Sequence, residues 1–399
     1  MISLDAVGLR EGPLATNGWR VNVTPTVLAV KPSLSAFLST VTPLRTVWAG
    51  DNPAAPVTTI PLKFASEAEA RRELAAFWPL GPSDNTIPPT VFGQGLPALT
   101  QSGPVTSTAD GQVIEGLDIT APDGSHGVTV THANVTVRRC RVSHRLSDGI
   151  RAPGRAVSIQ DVIVNYRAPA TGYDTPSGCN ITVYGGGASV IERARVSGGA
   201  SGVYCVDTPG VIARYIQGVD MRGPSPRGQL VQFDKCSGAL LEDFSCVNDD
   251  ATSWPEDVVS VFKSHNVRVR RGLVDGNNSQ DGVGVMFEGS NGGLCEDVDA
   301  LRQLNGSFYS AGSADVMFRR CRSKGQRNAD CGRGLPSSNS LTFGSIDNSS
   351  NTIFEDCSHF SQANPGNIAW GAGLNYAASQ ILHRDFTPRP QLNMTWAWE

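Results

Sequence analysis

A nine-residue pattern recurs through most of this 399-residue chain and limits its fold more than any other feature. Each copy has an apolar-x-apolar segment, a pair of mostly charged residues, and a second apolar-x-apolar segment. The clear copies are NVTVRRCRV (134–142), AVSIQDVIV (156–164), ASVIERARV (188–196), GALLEDFSC (238–246), NVRVRRGLV (266–274), GGLCEDVDA (292–300), DVMFRRCRS (315–323) and NTIFEDCSH (351–359). Looser copies at 113–119, 213–221 and 379–386 bring the number to ten or eleven, at intervals of 22 to 36 residues.

Alternation with period two on both sides of the charged pair predicts two short strands joined at a corner. A third strand precedes most copies by about ten residues, as in CNITVYG and DVVSVFK. Three strands per repeat predict an all-β fold, a right-handed, single-stranded parallel β-helix of about ten or eleven coils over residues 112–386. The apolar positions expected inside are Val137, Ile159, Leu241, Val269, Phe318 and Phe354.

The charged pairs alternate in sign from one coil to the next. They read Glu242-Asp243, Arg270-Arg271, Glu296-Asp297, Arg319-Arg320 and Glu355-Asp356. Stacked coils lie about 4.8 Å apart, so each acidic corner is expected between basic ones, with both charges facing solvent. We interpret these pairs as devices that fix the register, which removes their carboxylates from the catalytic candidates.

Nine cysteines without any CxxC spacing argue against a disulfide framework and a zinc site. Cys140, Cys321 and Cys357 fall at matching inward positions, where a thiol behaves as a small apolar group. No metal and no cofactor are predicted.

The ends of the chain do not follow the repeat. Residues 1–80 combine strand-like alternation with a capping box, Ser66-x-x-Glu69, which predicts a helix of about eleven residues; this region reads as a module for attachment or assembly. Residues 81–111 read as a linker that covers the first coil. The tail, 387–399, carries Trp396 and Trp398, which are expected to be exposed and to suggest a subunit contact.

Charge and hydropathy exclude some functions. A net charge of −4 argues against nucleic acid as a partner, because phosphate binding needs clustered cations. The most apolar early stretch, Val21 to Val41, is broken by prolines and a lysine, so no membrane insertion is expected. The first residues lack the pattern of a secretory leader.

Carboxylates outside the corners concentrate in two consecutive coils. Asp257 and Asp281 each precede an inward valine by two residues, so they are expected in one column, with Asp148 several coils away. Glycoside hydrolysis needs two carboxyl groups, about 5 to 9.5 Å apart, of which one keeps its proton. The catalytic candidates are therefore Asp257, Asp281, Asp249 and Asp250, although aspartates at strand entrances are also ordinary turn residues.

Other side chains in these coils are candidates for binding a carbohydrate. Trp254 could stack on a sugar ring, and Lys263 and Arg302 could bind acidic sugars. Further candidates nearby are Glu256, Asp275 and Glu288. The two longest insertions, 167–178 and 325–340, are expected to border this site.

The repeat resembles that of the pectate-lyase-like superfamily over roughly residues 105–386. The segment NDDATSW is faintly similar to the Asp-Asp motif of polygalacturonase-like hydrolases, but the companion Gly-His-Gly and Arg-x-Lys motifs are missing, so that mechanism is not transferred. The order of parts is similar to that of bacteriophage tailspikes. This resemblance implies a homotrimer in the virion tail that joins other tail proteins through its N-terminal region and binds, and in some cases cleaves, a host surface polysaccharide.

Two alternatives to a tailspike-like receptor-binding protein stay open. One is a bacterial polysaccharide hydrolase or lyase of the same superfamily, secreted or held at the cell surface by a non-classical route. The other is a structural or adhesive virion protein without catalytic activity, which would share the architecture and lack a competent carboxylate pair.

Overall fold

The structure is a computed structural model that describes residues 97–154, 156–168, 176–185, 187, 189–223, 226–248, 253–279, 281–326, 342–360 and 369–398, together with five short strands before residue 97. The chain divides into two compact units, Met1–Asp84 and Asn85–Glu399. The described residues are all-β, without a helix.

The first unit contains a small antiparallel sheet. Its four strands pair in chain order and are β1 (Pro13–Leu14), β2 (Trp19–Asn22), β3 (Leu44–Val47) and β4 (Thr58–Pro61). The helix expected after Ser66 lies outside the described residues.

The second unit is a parallel β-helix built from two long sheets and one short strand pair. The short pair joins β5 (Thr90–Phe92) to β32 (Met394–Trp396). The eleven-stranded sheet contains β7 (Val105–Thr106), β10 (Val128–Thr129), β12 (Ile150–Ala152), β14 (Ile181–Tyr184), β16 (Val203–Val206), β18 (Val231–Asp234), β20 (Val259–Phe262), β22 (Val283–Glu288), β24 (Gly306–Ala311), β27 (Phe343–Ile346) and β30 (Ala369–Trp370).

The fifteen-stranded sheet carries the nine-residue repeats. Its strands are β6 (Thr100–Ser102), β8 (Val113–Glu115), β9 (Leu117–Thr120), β11 (Thr136–His144), β13 (Ser158–Tyr166), β15 (Val190–Ser197), β17 (Ile212–Val219), β19 (Leu240–Val247), β21 (Arg268–Asn277), β23 (Leu294–Gln303), β25 (Met317–Arg319), β26 (Arg322–Gln326), β28 (Ile353–Glu355), β29 (Cys357–Phe360) and β31 (Ile381–His383). The solenoid has about nine turns. The sequence count of ten or eleven includes the end copies, where the strands shrink to two or three residues.

The interior of the solenoid is apolar, and side chains of the same type stack on one another from coil to coil. All six positions expected inside, from Val137 to Phe354, are fully buried. The rings of Phe318 and Phe354 stack with centroids 5.0 Å apart, and those of Phe308 and Phe343 with centroids 5.6 Å apart. Cys140, Cys321 and Cys357 are free, buried thiols, as predicted.

Each repeat turns its corner through one residue in the left-handed backbone region. In nine successive coils this is the second residue of the pair, with φ between +50° and +57°: Arg139, Asp161, Arg193, Tyr215, Asp243, Arg271, Asp297, Arg320 and Asp356. Residues other than glycine rarely adopt this backbone conformation. The corner is therefore set by the stacking of the coils and not by the backbone preference of the residue itself.

The alternating register of the corner charges is confirmed. Glu242 pairs in register with Arg270, and Arg270 with Glu296 on the next coil. Arg271 donates 2.7 Å bonds to both Glu242 and Asp243. The expectation that both charges face solvent is wrong for Arg270 and Arg271, whose side chains are only 6% and 7% exposed, whereas the corner side chain of Arg138 is 46% exposed. The C-terminal segment lies against this corner, where Arg389 approaches Asp297 at 3.5 Å.

The C-terminal segment, residues 385–398, runs back along the fifteen-stranded sheet; we call it the strap. The Arg389 amide donates to Asp299, the Leu392 amide to Ser245 and the Met394 amide to Gln217, each on an earlier coil. The expected exposure of the terminal tryptophans is wrong. Trp396 and Trp398 are 3% and 8% exposed and pack with Ile163 of the same chain, so they give no reason for a subunit contact.

Candidate functional site

The strongest candidate site lies on the outer face of the eleven-stranded sheet, meaning the side chains of its strands that point away from the solenoid interior. The connections that lead into these strands from the other sheet, here called the entry loops, all reach the same end of the sheet. The insertions at 167–178 and 325–340 fall between β13 and β14 and between β26 and β27, so both belong to entry loops. Most of their residues lie outside the described part of the chain.

The expected column of Asp257 and Asp281 is wrong by two residues. Val259 pairs with Val285, so the register partner of Asp257 is Val283 and not Asp281. The same register, followed through β14, β16 and β18, does place Asp148 and Asp257 in one column.

Asp257 is buried and holds the backbone of the next coil. Its side chain accepts a 3.0 Å bond from the Val283 amide, and the residue is 3% exposed. Asp148 does the same four coils earlier, where it accepts a 3.0 Å bond from the Cys179 amide. The repeated geometry favours a structural role for both aspartates, since each satisfies a backbone donor where its coil enters the sheet.

The charges of two outer-face carboxylates, Asp281 and Glu288, act on a third, Glu256, and we call Glu256, Asp281 and Glu288 the carboxylate cluster. Burial raises the pKa of Glu256, and the charges of Glu288 and Asp281 add to that rise, opposed by Arg227 and by a 3.0 Å bond from Gln229. Desolvation and the charge of Asp347 also raise the pKa of Glu288, and Lys263 opposes this. A carboxyl group with a raised pKa keeps its proton to higher pH and can act as a general acid.

Aromatic rings and cations lie beside this cluster. Trp254 is 38% exposed on the entry loop before β20, and the Lys263 ammonium lies 4.7 Å above the ring of Phe262. On the coils towards the N-terminal end, Arg151 lies over Tyr184 and Arg227 over Tyr204. These last four residues were not among the candidates predicted from the sequence. Their signal was available, because Tyr184 and Tyr204 alternate with core residues in CNITVYG and SGVYCVD.

The remaining candidates do not join this face among the described residues. Asp275 and Arg302 lie on β21 and β23 of the fifteen-stranded sheet, where the Arg302 Nε atom donates a 2.6 Å bond to Asp275. Asp249 and Asp250 lie outside the described residues. The structure therefore places Asp281, Trp254, Glu256, Lys263 and Glu288 on or beside one surface.

The described part of the chain contains no group of three His, Cys, Asp or Glu side chains positioned to hold a metal ion. It also contains no helix long and apolar enough to cross a membrane.

The chain resembles solved tailspike proteins in fold. The Dettilon tailspike protein matches with a TM-score of 0.34 and 12% identity, over 71% of this chain and 60% of that one. Full-length tailspike protein 2 from an Escherichia coli O157:H7 bacteriophage matches with a TM-score of 0.28 and 14% identity, over 75% of this chain and 42% of the other. The tailspike protein 2 enzymatically active domain of bacteriophage CBA120 matches with a TM-score of 0.27 and 12% identity, over 71% and 43%. This chain thus spans less than two thirds of each.

No protein-family model matches the chain, and no curated protein matches it in sequence. The likeness to tailspikes therefore concerns the fold alone, and the function has to be argued from the chain's own residues.

Replacing Asp257 with Asn should change how stability depends on pH. Burial raises the pKa of Asp257 well above its usual range, so the folded state holds this proton more tightly than the unfolded state. The resulting stabilisation is fully present below the unfolded pKa of about 3.9 and is lost as the pH rises through the folded pKa. Asn keeps the acceptor for the Val283 amide and does not titrate.

We therefore expect wild type to lose stability relative to Asp257→Asn between pH 4 and pH 8, by about 1.4 kcal/mol for each unit of pKa difference. Denaturant unfolding of both proteins at pH 4, 6 and 8 measures this. A stability difference that is the same at all three pH values would show that Asp257 is not held protonated by burial.

Proposed function

We propose that the outer face of the eleven-stranded sheet binds an extended surface polysaccharide and that the carboxylate cluster hydrolyses it. The observation that carries this proposal is Glu256, a half-buried carboxyl whose pKa is raised beside two further carboxylates, on a surface that also presents aromatic rings and cations. A row of stacked coils offers repeated positions about 4.8 Å apart, which suits a polymer of repeating units.

In this proposal Glu256 donates a proton to the leaving oxygen of the glycosidic bond. Glu288 is assigned as the ionised partner that takes a proton from the attacking water, because its charge has the largest charge effect on the pKa of Glu256, and Lys263 opposes the rise in the pKa of Glu288 itself. Asp281 is exposed and adds a further negative charge. Two carboxyl groups in different protonation states are what glycoside hydrolysis requires.

The proposed setting is a tailspike-like receptor-binding protein of a bacteriophage virion tail. Its support is the order of parts, a separate unit at 1–84 followed by a β-helix and a C-terminal segment that packs along it. In this setting residues 1–80 attach to other tail proteins and the chain forms a homotrimer. The host polysaccharide is then both receptor and substrate.

Incubating the full chain with a panel of bacterial capsular and lipopolysaccharide glycans, followed by analysis of the products, tests the proposal. Release of saturated oligosaccharides with new reducing ends supports hydrolysis, whereas oligosaccharides with an unsaturated non-reducing end would show β-elimination instead. Binding without cleavage would support a receptor site and contradict the catalytic part of the proposal.

The homotrimer gives a separate prediction. Light scattering of the full chain at micromolar concentration should return about three times the chain mass of 42.2 kDa. A single chain mass would contradict the trimer and would favour a secreted monomeric enzyme.

A further inference from the structure

Two arginines lie over the rings of two tyrosines in the N-terminal half of the outer face. The guanidinium carbon of Arg151 is 4.9 Å from the ring centroid of Tyr184, and that of Arg227 is 4.5 Å from the centroid of Tyr204. The four residues come from different coils, so only the solenoid brings them together.

The strand register places the two arginine–tyrosine pairs on one continuous surface. Tyr184 pairs with Val206 and Thr182 with Tyr204, so the two tyrosines are diagonal neighbours on adjacent strands β14 and β16. Arg151 lies on the preceding strand, β12, and Arg227 lies just before the following strand, β18. The order Arg, Tyr, Tyr, Arg therefore spans four adjacent strands, or about 14 Å across the coils.

Stacking on a ring fixes the plane of a guanidinium group and leaves its edge N–H donors pointing sideways. Arg227 uses one donor on the neutral side-chain oxygen of Gln232, at 2.9 Å. Arg151 makes a single 3.3 Å contact to Asp148, and its side chain is 40% exposed. Among the described residues, neither arginine shows the short, two-bonded pairing that Arg271 makes with Asp243. Within that part of the chain, Arg151 keeps one long ion pair with Asp148 and Arg227 bonds to a neutral amide, so neither guanidinium group is held by a two-bonded carboxylate.

Arg227 also adjoins the carboxylate cluster. Its charge lowers the pKa of Glu256, and Gln229 reaches from the same entry loop to donate to Glu256 at 3.0 Å. Arg151 and Arg227 lie on the side of Glu256 towards β12, and Asp281 and Glu288 lie on the side towards β22. A polymer lying across the coils would meet the arginines on one side of Glu256 and the carboxylates on the other.

We infer that Arg151 and Arg227, oriented by Tyr184 and Tyr204, form a subsite for a sugar residue that carries a carboxylate. This inference rests on the proposed function, because it names the substrate class of the same surface. Planar guanidinium edges match a carboxylate in a two-bonded geometry, and fixed side chains lose little conformational freedom on binding. The acidic residue of the polymer is placed next to the bond that Glu256 protonates, and the adjoining residue beside the carboxylates is uncharged.

The test measures binding of defined oligosaccharides to the full chain by calorimetry at two salt concentrations. The probes are oligomers of polysialic acid and of hyaluronan, each beside its carboxyl-reduced form, which keeps the sugar and removes the charge. The variants are Arg151→Gln and Arg227→Gln. Arg138→Gln is the matched control, because Arg138 is 46% exposed and pairs with Glu115 on the other sheet.

We expect at least one acidic probe to bind more tightly than its reduced form, with an affinity that falls as salt rises. Each of the two variants should weaken that binding about tenfold to a hundredfold, and Arg138→Gln should leave it unchanged. Circular dichroism of each variant shows whether the fold is kept.

The outcomes separate the two proposals. Equal binding of an acidic probe and its reduced form, or undiminished binding of acidic probes by both arginine variants, overturns the subsite and leaves the polysaccharide surface standing. If neither these probes nor any glycan of the panel binds, the proposed function falls, and the subsite falls with it.

Discussion

Changing Glu256 to Gln should lower the rate of polysaccharide cleavage by about 10²- to 10⁴-fold, the usual contribution of a general acid. Gln keeps the volume and the ability to contact Gln229, and it cannot donate the catalytic proton. Binding of the intact polymer should therefore persist. In wild type the rate should decline as the pH rises through the raised pKa of Glu256, because the acid is then lost.

Companion variants separate the roles within the cluster. Asp281→Asn removes a charge that raises the pKa of Glu256, so the alkaline limb of the rate profile should move to lower pH with a smaller loss of rate. Glu355→Gln makes the same chemical change on the other sheet and should leave the rate unchanged. Full activity in Glu256→Gln, measured as reducing ends released at saturating substrate, would refute the assignment of the acid.

Replacing Trp396 with Ala should cost about 3 to 5 kcal/mol in the free energy of unfolding, as for other large buried aromatic residues. Its ring is 3% exposed, stacks at 5.6 Å on Trp398 and lies 5.5 Å from the guanidinium group of Arg195. The strap would lose its anchor, and the outer side of Ile163 would open to water.

Trp370→Ala is the control for this stability prediction. The Trp370 ring is 39% exposed, so the same substitution should cost less than about 1 kcal/mol. Denaturant unfolding of the two variants gives the comparison. Equal small losses in both would show that the strap is not bound firmly along the sheet in solution, and the burial of the tryptophans would then need another explanation.

The fold could be predicted from the sequence because the nine-residue pattern sets the interior positions, the corner and the register between coils. Apolar residues two apart fill the interior, and the pair between them marks the corner. The alternating sign of Glu242, Arg270 and Glu296 then fixes which coil lies on which. Burial of the corner side chains could not be read in the same way, because the repeat does not show what covers the corner in the folded chain. The strap, for example, reaches Asp297 and Ser245 from 92 and 147 residues further along the chain.

The site was harder to predict because the alternation of apolar residues in a strand does not show which of them pairs with the neighbouring strand. The motif GVGVMFEG contains two valines in phase, and Val285, not Val283, takes the core position beside Val259. Val283 instead packs with Met286 and Tyr309 in a separate apolar cluster. A slip of two residues keeps every side chain on its own face, so hydrophobic pattern alone does not detect it. The slip separates Asp257 from Asp281.

The strap also affects how this solenoid can unfold. Repeat proteins are held mainly by contacts between neighbouring coils, so they can fray from either end. Here the penultimate residues of the second unit pair with its first ones, since Met394 lies beside Thr90 and Trp396 beside Phe92. That contact closes a loop of about three hundred residues, so it forms only after the residues between its two strands have been synthesised. It ties the strap to the start of the second unit, so we expect fraying from the C-terminal end to require release of the strap, and resistance to unfolding to depend on the rate of that release.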